Sequence, residues 1–217
     1  RAQKLEAYKT TARKRTFNCL LMGESSVGKT HFLGTCPPPV LIHSFDPDGT
    51  RLKHFGPMQE SGRMIVDASF EDDSLVGRLP SAPFQFERWE SEFLKMRKAG
   101  LFNQVGTYCI DSLTTFAWAC RNSVVRELRP APRPGTQDKA PTTQAEWGVI
   151  GAKISEFIRA AQSLPCNFVL IAHLSLDRDE VTGATFAKPA IQPMLRDMIP
   201  RLFTEIYTLV IEAPAKP

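Results

Sequence analysis

FNCLLMGESSVGKT, residues 17–30, runs from an apolar, strand-like segment into a turn bounded by two glycines and closed by a Lys-Thr pair. Gly23 to Thr30 fits the pattern G-x-x-x-x-G-K-[ST], with a strand before it and a helix start (THFLG) after it. Glycines at 23 and 28 let the backbone wrap closely. Consecutive N–H groups then point inward and form an anion nest at a positive helix end. On this reading Gly23, Glu24, Ser25, Ser26, Val27, Gly28, Lys29, Thr30 and the adjoining His31 hold a triphosphate. Lys29 reaches the β and γ phosphates, and the Thr30 hydroxyl ligates Mg²⁺.

A partner for the ion comes from TYCIDS, residues 107–112, a buried strand that ends in Asp111 and can hold the Mg²⁺ shell through water. Taken alone, Asp111 reads first as a cap of the next helix, together with Ser112 or Thr114. The phosphate loop tips the balance toward the metal role. The long interval between Lys29 and Asp111 leaves room for further strands and disfavours simple nucleotide kinases.

Other apolar, β-branched runs lie at Val40–Phe45, Met64–Val66, Val105–Ile110, Asn167–Ala172 and Ile206–Ile211, alongside the first at Phe17–Met22. Helical periodicity is clearest in Trp89–Lys98, Thr114–Leu128 and Gln144–Ser163. Strands and helices alternate, and the strands are apolar at nearly every residue. This predicts an α/β fold with a mostly parallel, twisted sheet and helices on both faces. Three segments break the rhythm: a proline-rich turn at 36–40, RPAPRPGTQDKAPTT at 129–143, and DRDEVTGATFAKP at 177–189. The last two predict mobile loops near 129–143 and 174–190.

The chain has 217 residues, 42% hydrophobic and 23% charged, which suits a globular fold and excludes a disordered or fibrous chain. Its net charge of +4 is uneven. Residues 1–16 hold six basic residues against one acidic, whereas the rest hold 21 basic and 22 acidic. A basic N-terminal arm followed by one core, 17–217, is expected. No run of eighteen apolar residues occurs and the first residues lack the apolar centre of a signal peptide, so a soluble cytoplasmic protein with no membrane partner is expected. Five cysteines without C-x-x-C spacing point to buried thiols in a reducing compartment. The four histidines show no zinc-site spacing.

An ordered series of features (GESSVGKT, FDPDGTRL, TYCIDSLT, NFVLIAH and the closing EIYTLVIE) resembles the RecA-like P-loop NTPase core, and most closely the phage-encoded RecA-like single-strand annealing proteins. The resemblance covers most of residues 17–211. It implies an oligomer-forming, Mg²⁺-dependent ATPase in a bacterial or phage-infected cell. Such an enzyme binds single-stranded DNA and promotes annealing or strand exchange, with a single-strand-binding protein as a further candidate partner.

Residue by residue, the resemblance puts the water-polarising carboxylate at Asp48, with Asp46 as rival and a D-P-D-G turn as the structural alternative. It puts the γ-phosphate sensor at His173. It puts DNA contacts on Arg126, Arg129, Arg133 and Lys139 in the first loop, and on Arg178 and Lys188 in the second, which reads equally well as a hairpin. It implies ATP at the subunit interfaces of a ring or filament, with a basic residue acting in trans: Arg201, or else Arg196 or Lys188. The segment LEAYKTTARKRTF is a candidate arm for docking on the next protomer. Two other functions stay open: an ATP-gated DNA-binding module with little hydrolysis, for which Asp48 in place of Glu speaks, and a P-loop kinase or motor acting on another substrate.

Overall fold

The computed structural model describes residues 16–47, 49–71, 84–129, 141–178, 180 and 182–211. The basic arm up to residue 15, Asp48, Arg133 and Lys139 lie outside the described residues.

The described residues form seven strands: β1 (Asn18–Gly23), β2 (Val40–Ser44), β3 (Met64–Asp67), β4 (Thr107–Asp111), β5 (Asn167–Arg178), β6 (Thr185–Pro189) and β7 (Glu205–Leu209). They form one sheet in the order β3-β2-β4-β5-β1-β7, with β6 paired to β5. Every pairing along the main path is parallel; β5 and β6 run antiparallel. The α/β, mostly parallel architecture predicted from the strand and helix pattern is the one observed.

The sheet carries a core on each face, which is why its strands read as continuous apolar runs. In β1, Leu20 and Met22 join one cluster while Cys19 and Leu21 join the other. The larger cluster packs under α3 (Gln85–Lys98), α4 (Leu113–Leu128), α5 (Gln144–Gln162) and α6 (Pro193–Met198). The smaller lies under α1 (Lys29–Phe32), its 3₁₀ continuation Leu33–Thr35, and α2 (Gly56–Glu60). The helix expected after the phosphate loop is thus only four residues long before it tightens, and the three prolines at 37–39 prevent its extension. Among the described residues, no helix is long and apolar enough to cross a membrane.

One segment differs from its expected form. The loop expected near 174–190 is a β-hairpin. β5 continues to Arg178, pairs Asp177 with Phe186 and Arg178 with Thr185, and turns through Gly183 at φ +71°. Asp177 holds it together by pairing with Lys188 on the opposite strand and with Arg196 on α6. At the other loop, Thr143 forms a capping box with Glu146 at the start of α5, and Arg129 grips the Glu146 carboxylate at 2.5 and 2.7 Å. The Arg129 guanidinium, followed by the backbone N–H of Thr143, holds the Glu146 carboxyl down at about 2.

Inside the larger core, the Trp89 indole N–H donates to His43 Nδ1 (3.0 Å) and to Tyr108 Oη (3.2 Å), while Tyr108 Oη lies 3.1 Å from the same His43 nitrogen. Two donors aimed at one nitrogen require the neutral tautomer with its proton on Nε2. Burial pushes the imidazole down to about 4. Between pH 6.5 and 4 the unfolded chain therefore binds the extra proton, and His43 stabilises the fold fully only above that window. Measured by urea unfolding, wild type should lose about 3 kcal/mol relative to His43→Leu as the pH falls from 6.5 to 4.

Candidate functional site

Four parallel strands bring their C-terminal ends together. β1 ends at Gly23, beside His173 of β5, and β2 ends at Ser44, beside Asp111 of β4. Because β5 lies between β1 and β4, His173 is placed between the phosphate loop and Asp111. The turn after β2 is tied down by its own backbone: the N–H groups of Phe45 and Asp46 both donate to the Asp111 carbonyl, at 2.6 and 3.3 Å.

The loop is wound tightly. Ser26 (φ +64°) and Gly28 (φ +94°) are both left-handed. A Cβ on Gly23 would come within 2.6 Å of Val27 Cγ2 and 3.1 Å of the Leu209 carbonyl, so only glycine lets the chain pass there. Lys29 Nζ curls back over the loop and donates to the Glu24 carbonyl at 2.6 Å. Thr30 Oγ1 donates to Asp111 Oδ2 at 2.7 Å.

Two carboxylates sit side by side in opposite electrostatic states. Asp111 is almost fully buried, and burial lifts its carboxyl to about 6 against the opposing Thr30 hydrogen bond, with Asp46 adding repulsion. Burial also pushes Asp46 up, but the hydrogen bonds from His173, Thr115 and Ser112 outweigh it and hold Asp46 below the ordinary aspartate range. Ser112 Oγ donates at 2.9 Å, Thr115 Oγ1 makes a short bond to the same oxygen, and His173 Nε2 lies 3.1 Å from the other. Burial draws the Lys29 ammonium down, partly offset by Asp111 and Asp46.

Ser25, Ser26, Gly28, Lys29, Thr30, His31, Asp111 and His173 line one cavity of about 500 Å³, while Gly23, Glu24 and Val27 form the turn beneath it. The structure adds Asp46, Gly49, Leu52 and His54 to the lining. Among the described residues, no group of three His, Cys, Asp or Glu could hold a metal ion alone. The donor set fits a hard dication that draws its remaining ligands from phosphate and water, since Thr30 offers a hydroxyl and Asp111 a desolvated carboxylate in need of positive charge.

Other expected site residues are elsewhere. Arg126 pairs with Glu87 and covers the Phe84 ring, and Arg129 caps α5 through Glu146. Lys188 is bound to Asp197 and Asp177. Arg178 and Arg201 are exposed and do not line the cavity. Sequence reading gave no sign of Ser112 and Thr115 as Asp46 partners, or of His54. Ser112 and Thr115 follow the Asp111 motif, but nothing local aims them at Asp46, and His54 likewise meets its partner His31 from a distance in the chain.

The profile of the AAA domain family matches residues 15–217. Among solved structures, a prototypical ATPase from the type III secretion system of pathogenic bacteria aligns with a TM-score of 0.47 and 16% identity. The alignment covers 89% of this chain and 52% of that one, so the chain spans about half the length of that protein. No curated protein matches.

Proposed function

The chain belongs to the AAA domain family, and from that premise we propose a magnesium-dependent ATPase that works on single-stranded DNA, promoting annealing or strand exchange. The observation that carries the ATPase reading is the convergence of Lys29, Thr30, Asp111, Asp46 and His173 around one cavity behind a loop closed to any side chain at Gly23. Magnesium, when bound, neutralises charge on the β and γ oxygens. Lys29, now on the Glu24 carbonyl, would bind phosphate oxygens, and Thr30 and Asp111, now bonded to each other, would hold the ion. His173, held at Nε2 by Asp46, is the proposed side chain that senses the terminal phosphate. Asp48, beyond the described residues, is the proposed water-polarising base.

Lys29 is the one Lys or Arg among the described residues lining the cavity, against Asp46 and Asp111. A second cation supplied by a neighbouring protomer, with Arg201 the exposed candidate, would complete transition-state stabilisation. This supports an oligomer with ATP at its interfaces. Support for a nucleic-acid substrate comes from α4, which carries Thr115 against Asp46 at its start. One turn further on, α4 presents a half-exposed Trp118 with the Arg121 guanidinium 5.6 Å from its ring, a pairing suited to stacking a base beside a phosphate. Phe186 and Arg178, both exposed, add an aromatic and a basic side chain on the hairpin.

One observation favours an ATP-gated binder with little turnover: Ser112, Thr115 and His173 already engage the Asp46 carboxylate, so it is no free base. Steady-state ATP hydrolysis with and without single-stranded DNA separates the readings. Stimulation by DNA of tenfold or more is expected for the ATPase. Equal, negligible rates with nucleotide-dependent DNA binding intact would leave the gated binder.

A further inference from the structure

Phosphate chemistry occupies one end of the cavity; the other end is aromatic. His31, the residue after Thr30, faces His54 of the 3₁₀ turn Lys53–Phe55, with ring centroids 4.0 Å apart and planes inclined at 38°. His54 in turn meets Phe55 edge-on, with centroids 4.5 Å apart. Phe55 is 1% exposed and belongs to the core cluster with Leu33 and Ile42. The three rings form a short aromatic run rooted in the core and ending at the cavity wall.

Both imidazoles are exposed, so no packing demand of the free protein explains why they are stacked at this spot. An exposed aromatic surface at the mouth of a phosphate site has a natural ligand in the π-face of a base.

We propose that the His31–His54 stack is the nucleobase platform of this site: the base of a nucleoside triphosphate lies against the imidazole faces while its phosphates enter the loop. The inference rests on the phosphate-loop reading and adds the residues that read the base. The larger π-surface of a purine gains more from such a platform than a pyrimidine does, so the site favours ATP or GTP over CTP or UTP.

The experiment compares magnesium-ATP with magnesium-tripolyphosphate, which has the phosphates and no base, by calorimetry on wild type, His54→Ala and His54→Phe. Wild type should bind ATP more tightly than tripolyphosphate. His54→Ala should weaken ATP binding about tenfold, the lower end of one base stack, and leave tripolyphosphate binding unchanged. His54→Phe, which keeps a ring, should restore ATP affinity to within about threefold of wild type. The ATP-to-CTP preference should shrink in His54→Ala. Tripolyphosphate binding with ATP no tighter, or equal losses for both ligands in His54→Ala, would overturn the platform and leave the phosphate loop standing. Failure of wild type to bind either ligand would overturn the phosphate-site reading and the platform with it.

Discussion

Replacing Lys29 with methionine should lower ATP turnover by about 10²–10³-fold, while the protein still melts as a folded chain. Lys29 is 7% exposed, and its ammonium is held by the Glu24 carbonyl on one side and attracted by Asp46 and Asp111 on the other. Burial has already lowered the cost of moving that ammonium from the carbonyl onto a phosphate, because little water has to be removed from it. Methionine keeps most of the aliphatic stem that fills the loop and removes only the charge, so a loss of turnover reports on phosphate stabilisation rather than on packing. The checks are single-turnover hydrolysis and far-ultraviolet circular dichroism. Turnover within threefold of wild type in a folded variant would mean that the loop is a turn without phosphate chemistry.

Asp111→Asn should have opposite effects on stability and on activity. In the folded chain the carboxyl is raised from 3.8 to about 6, so the native state holds its proton over a pH range in which the unfolded chain has lost it. The contribution of Asp111 is thus most favourable below pH 3.8, is lost as the pH rises through 6, and leaves a penalty of about 3 kcal/mol at pH 8. Asparagine still accepts the Thr30 hydroxyl but carries no charge. The nucleotide-free variant should therefore be more stable than wild type at pH 8 by up to about that amount, with the difference vanishing near pH 4. In saturating magnesium-ATP the order should reverse, because wild type gains ligand stabilisation that the variant lacks. Urea unfolding at pH 8 and pH 4, with and without magnesium-ATP, checks both signs. A variant less stable than wild type at pH 8 without ligand would show that Asp111 is held by more than the Thr30 bond. The gradient from Asp111 opposes that from His43 between pH 6 and 4, so wild type itself should show a shallow profile there.

Some of the site was legible because its information is local. The glycine spacing and the Lys-Thr pair of GESSVGKT dictate a wrapped backbone, and the apolar run before it dictates a strand. The same locality explains why Asp111 was read as a strand end. Asp46 was harder to read: a D-P-D-G stretch favours a turn whatever surrounds it, and the donors that hold its carboxylate come from positions 66, 69 and 127 residues further along. The hairpin at β5–β6 was ambiguous for a related reason. Its acidic and basic residues look like a solvated loop until Asp177 finds Lys188 across the ladder and Arg196 on α6.

Residue order by itself determined an alternating α/β chain and a phosphate-binding turn at a known place in it, because backbone periodicity and glycine geometry depend on neighbours within a few positions. Tertiary structure decided the rest. By inserting β5 between β1 and β4, the fold put His173 against Asp46, and by seating Phe55 in the core it set His54 against His31. Neither pairing has a local signature, since each depends on which strands pair and which faces are buried.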